Sequence, residues 1–317
     1  MLRLELSRAG SSDNVLNMNP VRSTRRRFLA KAGMAAAGAA AFAPAIPAAI
    51  GKPAVDWQIG CFNRPWGKFS YDDALDGLKA AGFKTTGLVG RHKMKPESLL
   101  TPDASADYLD RLKERIAERG LKPIIAWIYG PKTRDHKGAV AELSQLTDNA
   151  RRLGLETLLS GGPRRNETVE SYSRVISEVA AYAADQGIKI AMKPHGGDGA
   201  EITRCIELVD HENFSLWYDA GNIIYYTGQN PVAELRNLAS KVTGFCAKDC
   251  GGKSSPVMIQ FGEGKVDFQK VFQTLKDAGF NGPVMIECTG DPESSEQAQG
   301  LAVANREFLK GVFSGLK

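Results

Sequence analysis

The sequence contains few of the residues that build disulfide scaffolds or histidine-rich metal clusters. It has five cysteines and four histidines among 317 residues. A chain this long does not need a disulfide scaffold. Cys61, Cys246 and Cys288 lie in or at the ends of apolar runs, where cysteine usually acts as a small core residue. A bridge between Cys246 and Cys250 is left open as an alternative.

Net charge is absent from most of the chain. The formal net charge is +5, and the first 50 residues hold seven basic and two acidic side chains, so the remainder carries 34 charges of each sign. A neutral body offers no bulk electrostatic attraction to nucleic acid. The hydrophobic share of 43% and the charged share of 24% are those of an ordinary globular protein. We therefore predict no nucleic-acid partner.

The first 50 residues have the features of a targeting segment. The stretch from Thr24 to Leu29 contains a twin-arginine pattern, and after Lys31 an uncharged, Ala-rich stretch runs from Ala32 to Ile50. A basic start, an apolar middle and small residues at the end define a signal peptide, and the arginine pair marks the Tat subtype. We expect residues 1–50 to be a cleavable signal that the Tat export machinery recognises. Residues 51–317 would form the mature domain, in the periplasm or outside the cell.

Nothing in the sequence favours a stable membrane anchor. The apolar part of the leader is short and is broken by Pro44 and Pro47. No later stretch approaches the roughly 20 apolar residues that a membrane span needs.

A local pattern recurs along the mature part. A helical stretch ends in glycine plus an apolar residue, and a β-rich run follows, at Gly82, Gly120, Gly154, Gly187 and Gly279. Glycine suits the position just after a helix, where φ is positive. With two further units in the gap before Gly279, the pattern predicts eight strands near 57–62, 84–89, 122–128, 155–160, 188–193, 213–218, 241–247 and 282–288. Helices are predicted between them, for example at 71–81, 105–119, 137–153, 168–186, 231–240 and 267–278.

Short apolar strands that alternate with helices indicate a parallel sheet. Eight such units in about 260 residues match a single (β/α)8 TIM barrel, an α/β fold. The alternative is a doubly wound open sheet. That fold favours Gly-x-Gly-x-x-Gly after its first strand, whereas Cys61-Phe-Asn-Arg-Pro-Trp-Gly67 stands there.

In such a barrel the active site forms at the C-terminal ends of the strands. Ionisable and polar residues follow the predicted strands there, including Arg64, Trp127, Lys193, His195, Asp219, Asn222, Cys246, Lys248 and Glu287. Asp219 and Glu287 each end an apolar strand, where a carboxylate must be solvated, paired or bound to a metal. A metal or catalytic role and a structural ion pair both remain open for these two residues.

The sequence also leaves more than one role open for Lys193 and for His195. Lys193 could form an ion pair that substitutes for a metal, act as a desolvated acid, base or Schiff-base nucleophile, or point to solvent. His195 lies beside Gly196 and Gly197, which let a ligand approach the backbone closely. His92 could reach the rim. Stacking on a sugar is considered for Trp66, Trp127, Tyr129 and Trp217, and weak anion binding for the turn Gly262-Glu-Gly-Lys-Val-Asp267.

Five segments together resemble the xylose isomerase-like TIM-barrel superfamily, the sugar phosphate isomerase/epimerase group, over roughly residues 57–313. They are Lys193-Pro-His-Gly-Gly197, Tyr218-Asp-Ala-Gly-Asn222, Cys246-Ala-Lys-Asp249, the Gly262–Asp267 turn and Val284-Met-Ile-Glu287. The resemblance implies a divalent metal (Mn, Co, Mg or Zn) held by Glu, Asp, His and Glu at the ends of strands five to eight. Asp219 and Glu287 match that set, whereas Lys193 and Cys246 replace its other two members. The predicted metal ligands are therefore Asp219, Glu287 and His195, with Cys246 as a thiolate ligand for a soft metal such as zinc.

The predicted function is that of an exported sugar isomerase/epimerase-like enzyme. It would remove a proton next to a carbonyl of a small sugar or keto-sugar, leading to isomerisation, epimerisation or elimination. Glu287 is the predicted base, Lys193 or His195 the partner acid, and Arg64, Trp127, Asn222 and Lys248 the substrate-binding residues. Asp219 would bind metal or hold Lys193.

The alternative is a periplasmic sugar-binding protein that has no catalysis. A barrel endonuclease for DNA repair is disfavoured, because it needs clustered histidines and this chain has four scattered ones. The sequence leaves a homo-oligomer open.

Overall fold

The computed structural model describes residues 55–90, 92–94, 97, 99–133 and 135–317. The predicted signal, residues 1–50, lies outside these residues. The signal, its boundary with the mature domain and export therefore stay predictions.

Within the described residues, eight parallel strands form a closed barrel in chain order. The last strand pairs with the first, with Ile59 beside Val284 and Cys61 beside Ile286. The strands are β1 (Ile59–Phe62), β2 (Thr85–Leu88), β3 (Lys122–Trp127), β4 (Thr157–Ser160), β5 (Lys189–Met192), β6 (Phe214–Tyr218), β7 (Val242–Ala247) and β8 (Val284–Ile286). Closure confirms the predicted (β/α)8 barrel and excludes the doubly wound sheet, which has two free edges.

Helices alternate with the strands around the outside of the barrel. They are α1 (Tyr71–Ala80), α2 (Ala106–Ala117), α3 (His136–Leu153), α4 (Val169–Asp185), α5 (Gly199–Val209), α6 (Ala220–Thr227), α7 (Pro231–Leu235), α8 (Phe268–Asp277) and α9 (Ser295–Ser314). The helix predicted over 231–240 is too long. After Leu235 the chain tightens, because the Leu238 N–H donates to the Leu235 carbonyl, and a short 3₁₀ turn follows at Ala239–Lys241.

Local sequence sets both ends of most helices. Ser70 begins α1 with a capping box, in which its hydroxyl accepts the Asp73 N–H and the Asp73 carboxylate accepts the Ser70 N–H. The five glycines of the recurring pattern all have positive φ, between 68° and 83°. This confirms the predicted helix ends, since only glycine takes that conformation without strain.

The apolar core has two parts. A large cluster fills the space between the strands and the helices, and a smaller cluster inside the barrel contains Phe62, Trp217, Cys246 and Met285 among others. All five cysteines are buried and free, so the Cys246–Cys250 bridge is wrong. None of the helices in the described part is long and apolar enough to cross a membrane.

Gly244 on β7 makes room for the indole of Trp217 inside the barrel. A Cβ atom at Gly244 would overlap that ring, whereas a Cβ atom at Gly300 on α9 would meet nothing within 4 Å. We expect Gly244→Ala to lower the free energy of unfolding by about 1–3 kcal/mol through overpacking. The control Gly300→Ala should raise it by roughly 0.5–1 kcal/mol, because alanine favours a helix. Equilibrium urea unfolding measures both changes, and equal effects would contradict this account of the core.

Candidate active site

Five charged side chains meet at the C-terminal end of the barrel. Lys193 follows β5, Asp219 follows β6, Lys248 follows β7 and Glu287 follows β8, while Arg64 opens the 3₁₀ turn after β1. In a closed parallel barrel these strand ends point towards one mouth. The predicted convergence of Lys193, Asp219 and Glu287 is therefore present. We call Arg64, Lys193, Asp219, Lys248 and Glu287 the charge cluster.

Glu287 is the centre of the charge cluster and is 2% exposed. Its Oε1 accepts a hydrogen bond from Arg64 Nη1 at 2.6 Å, and its Oε2 accepts one from Lys193 Nζ at 2.5 Å. Lys248 Nζ lies 3.6 Å from the same Oε2. Both carboxylate oxygens therefore face cations. Lys193 is 1% exposed, so the interpretation that its amine points to solvent is wrong.

Asp219 has two roles at once. Its Oδ1 accepts the backbone N–H of Asn222 at 2.8 Å and so caps α6. Its Oδ2 lies 3.2 Å from Lys248 Nζ and 3.4 Å from Lys193 Nζ. The start of a helix thus fixes the direction of a buried carboxylate, which in turn holds two ammonium groups.

The charge cluster contains three cations and two carboxylates, so it has one positive charge in excess. Burial alone would raise the pKa of Glu287, but Lys193, Lys248 and Arg64 hold it well below its ordinary value. Burial opposes the charge on Lys193, yet Glu287 raises the pKa of Lys193 above its ordinary value. Both lysines therefore stay protonated near neutral pH. The arrangement fits electrostatic stabilisation better than a nucleophilic amine.

His195 lies beside the charge cluster in its neutral form. Its Nδ1 is 2.9 Å from the Lys193 carbonyl oxygen, which can only accept, so Nδ1 carries the proton and Nε2 has a free lone pair. The ring contacts Trp127, with centroids 4.6 Å apart, and Tyr226, at 5.4 Å. Burial and the nearby Lys193 lower the pKa of His195 to about 4.

His92 takes no part in the mouth of the barrel. Asn63 Nδ2 donates to His92 Nε2 at 2.7 Å, and His92 Nδ1 faces the backbone carbonyl of Phe69 at 3.2 Å. The imidazole is 1% exposed and connects the segments after β1 and β2. It is a structural residue.

A divalent metal does not fit these side chains. The Lys193 ammonium already faces both carboxylates, and a second cation there would meet strong repulsion. The Cys246 thiol is fully buried, and burial raises its pKa well above its ordinary value. In the described ranges, no group of three or more His, Cys, Asp or Glu residues could hold a metal ion. The predicted metal, with Asp219, Glu287, His195 and Cys246 as ligands, stays a prediction.

Other residues considered from the sequence have structural contacts. Trp66 and Trp217 are buried in the core. The Asn222 side-chain amide donates to the Pro194 carbonyl at 2.8 Å. Substrate binding by Asn222 stays a prediction. The turn over Gly262–Asp267 does not offer a free anion site, because the N–H groups of Gly262, Gly264 and Val266 all donate to the Asp249 carboxylate.

A cavity of about 610 Å³ opens above the charge cluster. Arg64, Trp127, Lys193, His195 and Glu287 line it, as the sequence predicted. Its lining also includes residues that sequence reasoning missed, namely Lys68, Lys93, Met258 and Asp291. These side chains belong to loops, where no local pattern marks which residues turn inwards. Lys68 and Asp291 form an ion pair of 2.7 Å at the rim.

The closed parallel barrel and the charged cavity at its C-terminal mouth place this protein among the (β/α)8-barrel proteins that have a site at that face. The chain belongs to the xylose isomerase-like TIM barrel family, whose model matches residues 75–311.

Curated relatives are similar over different lengths. An inosose dehydratase of Clostridium botulinum (strain Alaska E43 / Type E3) is 26% identical over 155 residues, or 43% of this chain and 51% of that one, so the chain spans about half the length of this relative. The inosose dehydratase of Lacticaseibacillus casei is 19% identical over 284 residues, 77% of this chain and 90% of that one.

A solved structure shares the fold. A D-allulose 3-epimerase from Methylomonas sp. in complex with D-allulose has a TM-score of 0.62 at 18% identity, covering 80% of this chain and 96% of that one.

Because the charge cluster has one positive charge in excess, we expect the loss of a carboxylate to destabilise the protein more than the loss of a cation. Glu287→Gln would leave three cations facing one carboxylate, so we expect a loss of about 3–5 kcal/mol in the free energy of unfolding. Lys193→Met would leave two cations with two carboxylates, and we expect about half that loss or less. Urea unfolding at pH 7 compares the two variants. A larger loss for Lys193→Met would show that the charge balance is misassigned.

Proposed function

We propose that this protein is a carbohydrate-active enzyme that removes the proton next to the carbonyl of a small keto-sugar. The reaction then ends as an isomerisation, an epimerisation or the loss of a hydroxyl group. One observation carries the proposal: a neutral imidazole with a free Nε2 lies beside a buried excess of positive charge in one cavity. The similarity to inosose dehydratases and to a D-allulose 3-epimerase supports the same class of chemistry.

The charge cluster would supply most of the catalytic effect. Removing a proton next to a carbonyl places negative charge on the carbonyl oxygen. The buried ammonium groups of Lys193 and Lys248 and the partly exposed guanidinium of Arg64 provide fixed positive charge beside the cavity. Since the charge cluster has one positive charge in excess, the oxygen that becomes negative would balance it.

The base is best assigned to His195. Glu287 was the base predicted from the sequence, but its two oxygens already accept from Arg64 and Lys193, and its pKa lies well below the ordinary value. His195 Nε2 has no such partner among the residues that the structure describes. We assign Glu287 to positioning Arg64 and Lys193 around the carbonyl oxygen.

The low pKa of His195 also favours the second half of the reaction. An imidazolium whose pKa is about 4 is a strong proton donor. It would return the proton to the opposite face of the same carbon once the sugar has turned relative to Nε2, to the neighbouring carbon, or to a leaving hydroxyl group. These outcomes correspond to epimerisation, isomerisation and dehydration, and the position of the sugar relative to Nε2 would decide among them.

Solvent exchange tests the proposal directly. Inosose and D-allulose serve as probes in deuterated water, and NMR measures the loss of the proton next to the carbonyl. We expect exchange with at least one probe, and a fall of about 10²–10⁴-fold in His195→Gln, the usual share of a general base.

His211→Gln is the matched control, since His211 accepts the Asn213 N–H and lines neither the reaction cavity nor the cavity beside it. Exchange within tenfold of the native rate in His195→Gln would return the role of base to Glu287. Binding of a probe without exchange would favour the sugar-binding alternative.

The pH dependence follows from the environment of His195. The base form is lost only as pH falls through about 4, so kcat/KM should stay level from roughly pH 5.5 to 8 and fall below that range. Lys193→Met removes the positive neighbour, so the pKa of His195 should rise, which NMR titration of the imidazole can follow. An unchanged pKa in that variant, or an acid limb near 6.5 in the native protein, would contradict the assignment.

A further inference from the structure

A second cavity of about 600 Å³ lies beside the reaction cavity, and the proposed mechanism does not use it. It lies between α3 and α4, beneath the segments that follow β3 and β4. Its inner wall is apolar and includes Ile128, Leu143, Val175 and Ile176. Three of these four side chains are at most 5% exposed, and Val175 is half-buried. The wall is therefore part of the folded core and not a flexible surface.

The two cavities share three lining residues. Trp127, Tyr129 and His195 border both of them, so the second cavity begins where the proposed base, His195, lies. Tyr129 is 62% exposed, and its ring stands at the junction. A ligand held in the reaction cavity can extend past these rings into the second cavity.

The chemistry of the second cavity differs from that of the first. Fixed charges line the reaction cavity and suit sugar hydroxyl and carbonyl groups, whereas an aliphatic wall cannot satisfy hydroxyl groups. The rim of the second cavity carries Arg165 and Arg174, both exposed. Guanidinium groups stack on aromatic faces and pair with acidic substituents. A volume of this size suits a small organic group rather than a peptide or a lipid.

From this arrangement we infer that the substrate is a glycoside, with the sugar in the reaction cavity and an aromatic aglycone in the second cavity. The inference rests on the proposed function, because it assumes that the sugar lies at the charge cluster. It adds a substrate class: a sugar that is still attached to an aromatic group, in place of a free monosaccharide.

Matched pairs of unreactive glycosides test the inference apart from catalysis. Phenyl and methyl β-D-glucopyranosides, and the corresponding galactosides, differ only in the aglycone. Isothermal titration calorimetry of the native protein should show at least one phenyl glycoside binding roughly tenfold or more tightly than its methyl partner, because a phenyl ring buries apolar area. Equal binding of each pair, or no binding of either phenyl glycoside, overturns the inference.

Two variants locate the aglycone. Val175→Trp fills part of the second cavity and should remove the phenyl advantage while leaving methyl binding unchanged. Its control is Val140→Trp, which changes a half-buried valine on α3 that does not line the cavity. Tyr129→Ala removes an exposed ring and should reduce the phenyl advantage several-fold even if Val175→Trp does not fold. A phenyl advantage that persists in Tyr129→Ala and in folded Val175→Trp contradicts this location.

The outcomes separate this inference from the proposed function. Proton exchange on free keto-sugars without any phenyl preference would leave the proposed function standing and reject the aglycone cavity. A phenyl preference that Val175→Trp removes, without exchange on any probe, would support the cavity and favour the sugar-binding alternative.

Discussion

The buried contact between Lys193 and Glu287 is the interaction on which the rest of the site depends. An ammonium and a carboxylate that are 1% and 2% exposed lie 2.5 Å apart inside the mouth of a barrel. Each of these charges would be costly to bury alone, and Asp219, Lys248 and Arg64 surround them with further opposite charges. The strand ends that carry them are held in register by the closed sheet, so the distances do not depend on flexible loops.

The Lys193 ammonium places a fixed positive charge where the family resemblance implies a metal ion. A protein-borne ammonium cannot leave, and it keeps a single position relative to the carboxylates around it. Burial keeps His195 neutral, and the same positive charge adds to this effect, because protonating the imidazole would place another cation beside Lys193. In the proposed reaction, the proton affinity of His195 and the stabilisation of the oxyanion would therefore both depend on this balance of charges. A substitution at any member of the charge cluster alters the others, and its effects will not be additive.

The two adjoining cavities would each bind one part of the proposed substrate, according to its polarity. Polar groups of a sugar need fixed donors and charges, which the strand ends supply. An apolar substituent needs a wall without unsatisfied polar atoms, which α3 and α4 supply. Trp127 lies between these environments, with Lys193 Nζ 5.3 Å from its ring centroid and His195 against its ring. It joins the charged and the apolar halves of the proposed binding region.

The sequence alone determined the order of strands and helices, because each strand is a short apolar run and most helix ends carry a signal in a capping side chain or a glycine. It also determined which residues follow the strands, and hence that Lys193, His195, Asp219 and Glu287 share one end of the barrel.

Only the tertiary structure decided how these residues contact one another. It showed that Lys193 faces two carboxylates, that Asp249 fills the turn over Gly262–Asp267, and that a second cavity opens beside Tyr129. Strand positions are encoded by local periodicity, whereas these contacts join residues up to 223 positions apart, as in Arg64 and Glu287. Burial and charge balance at such distances arise only when the barrel closes.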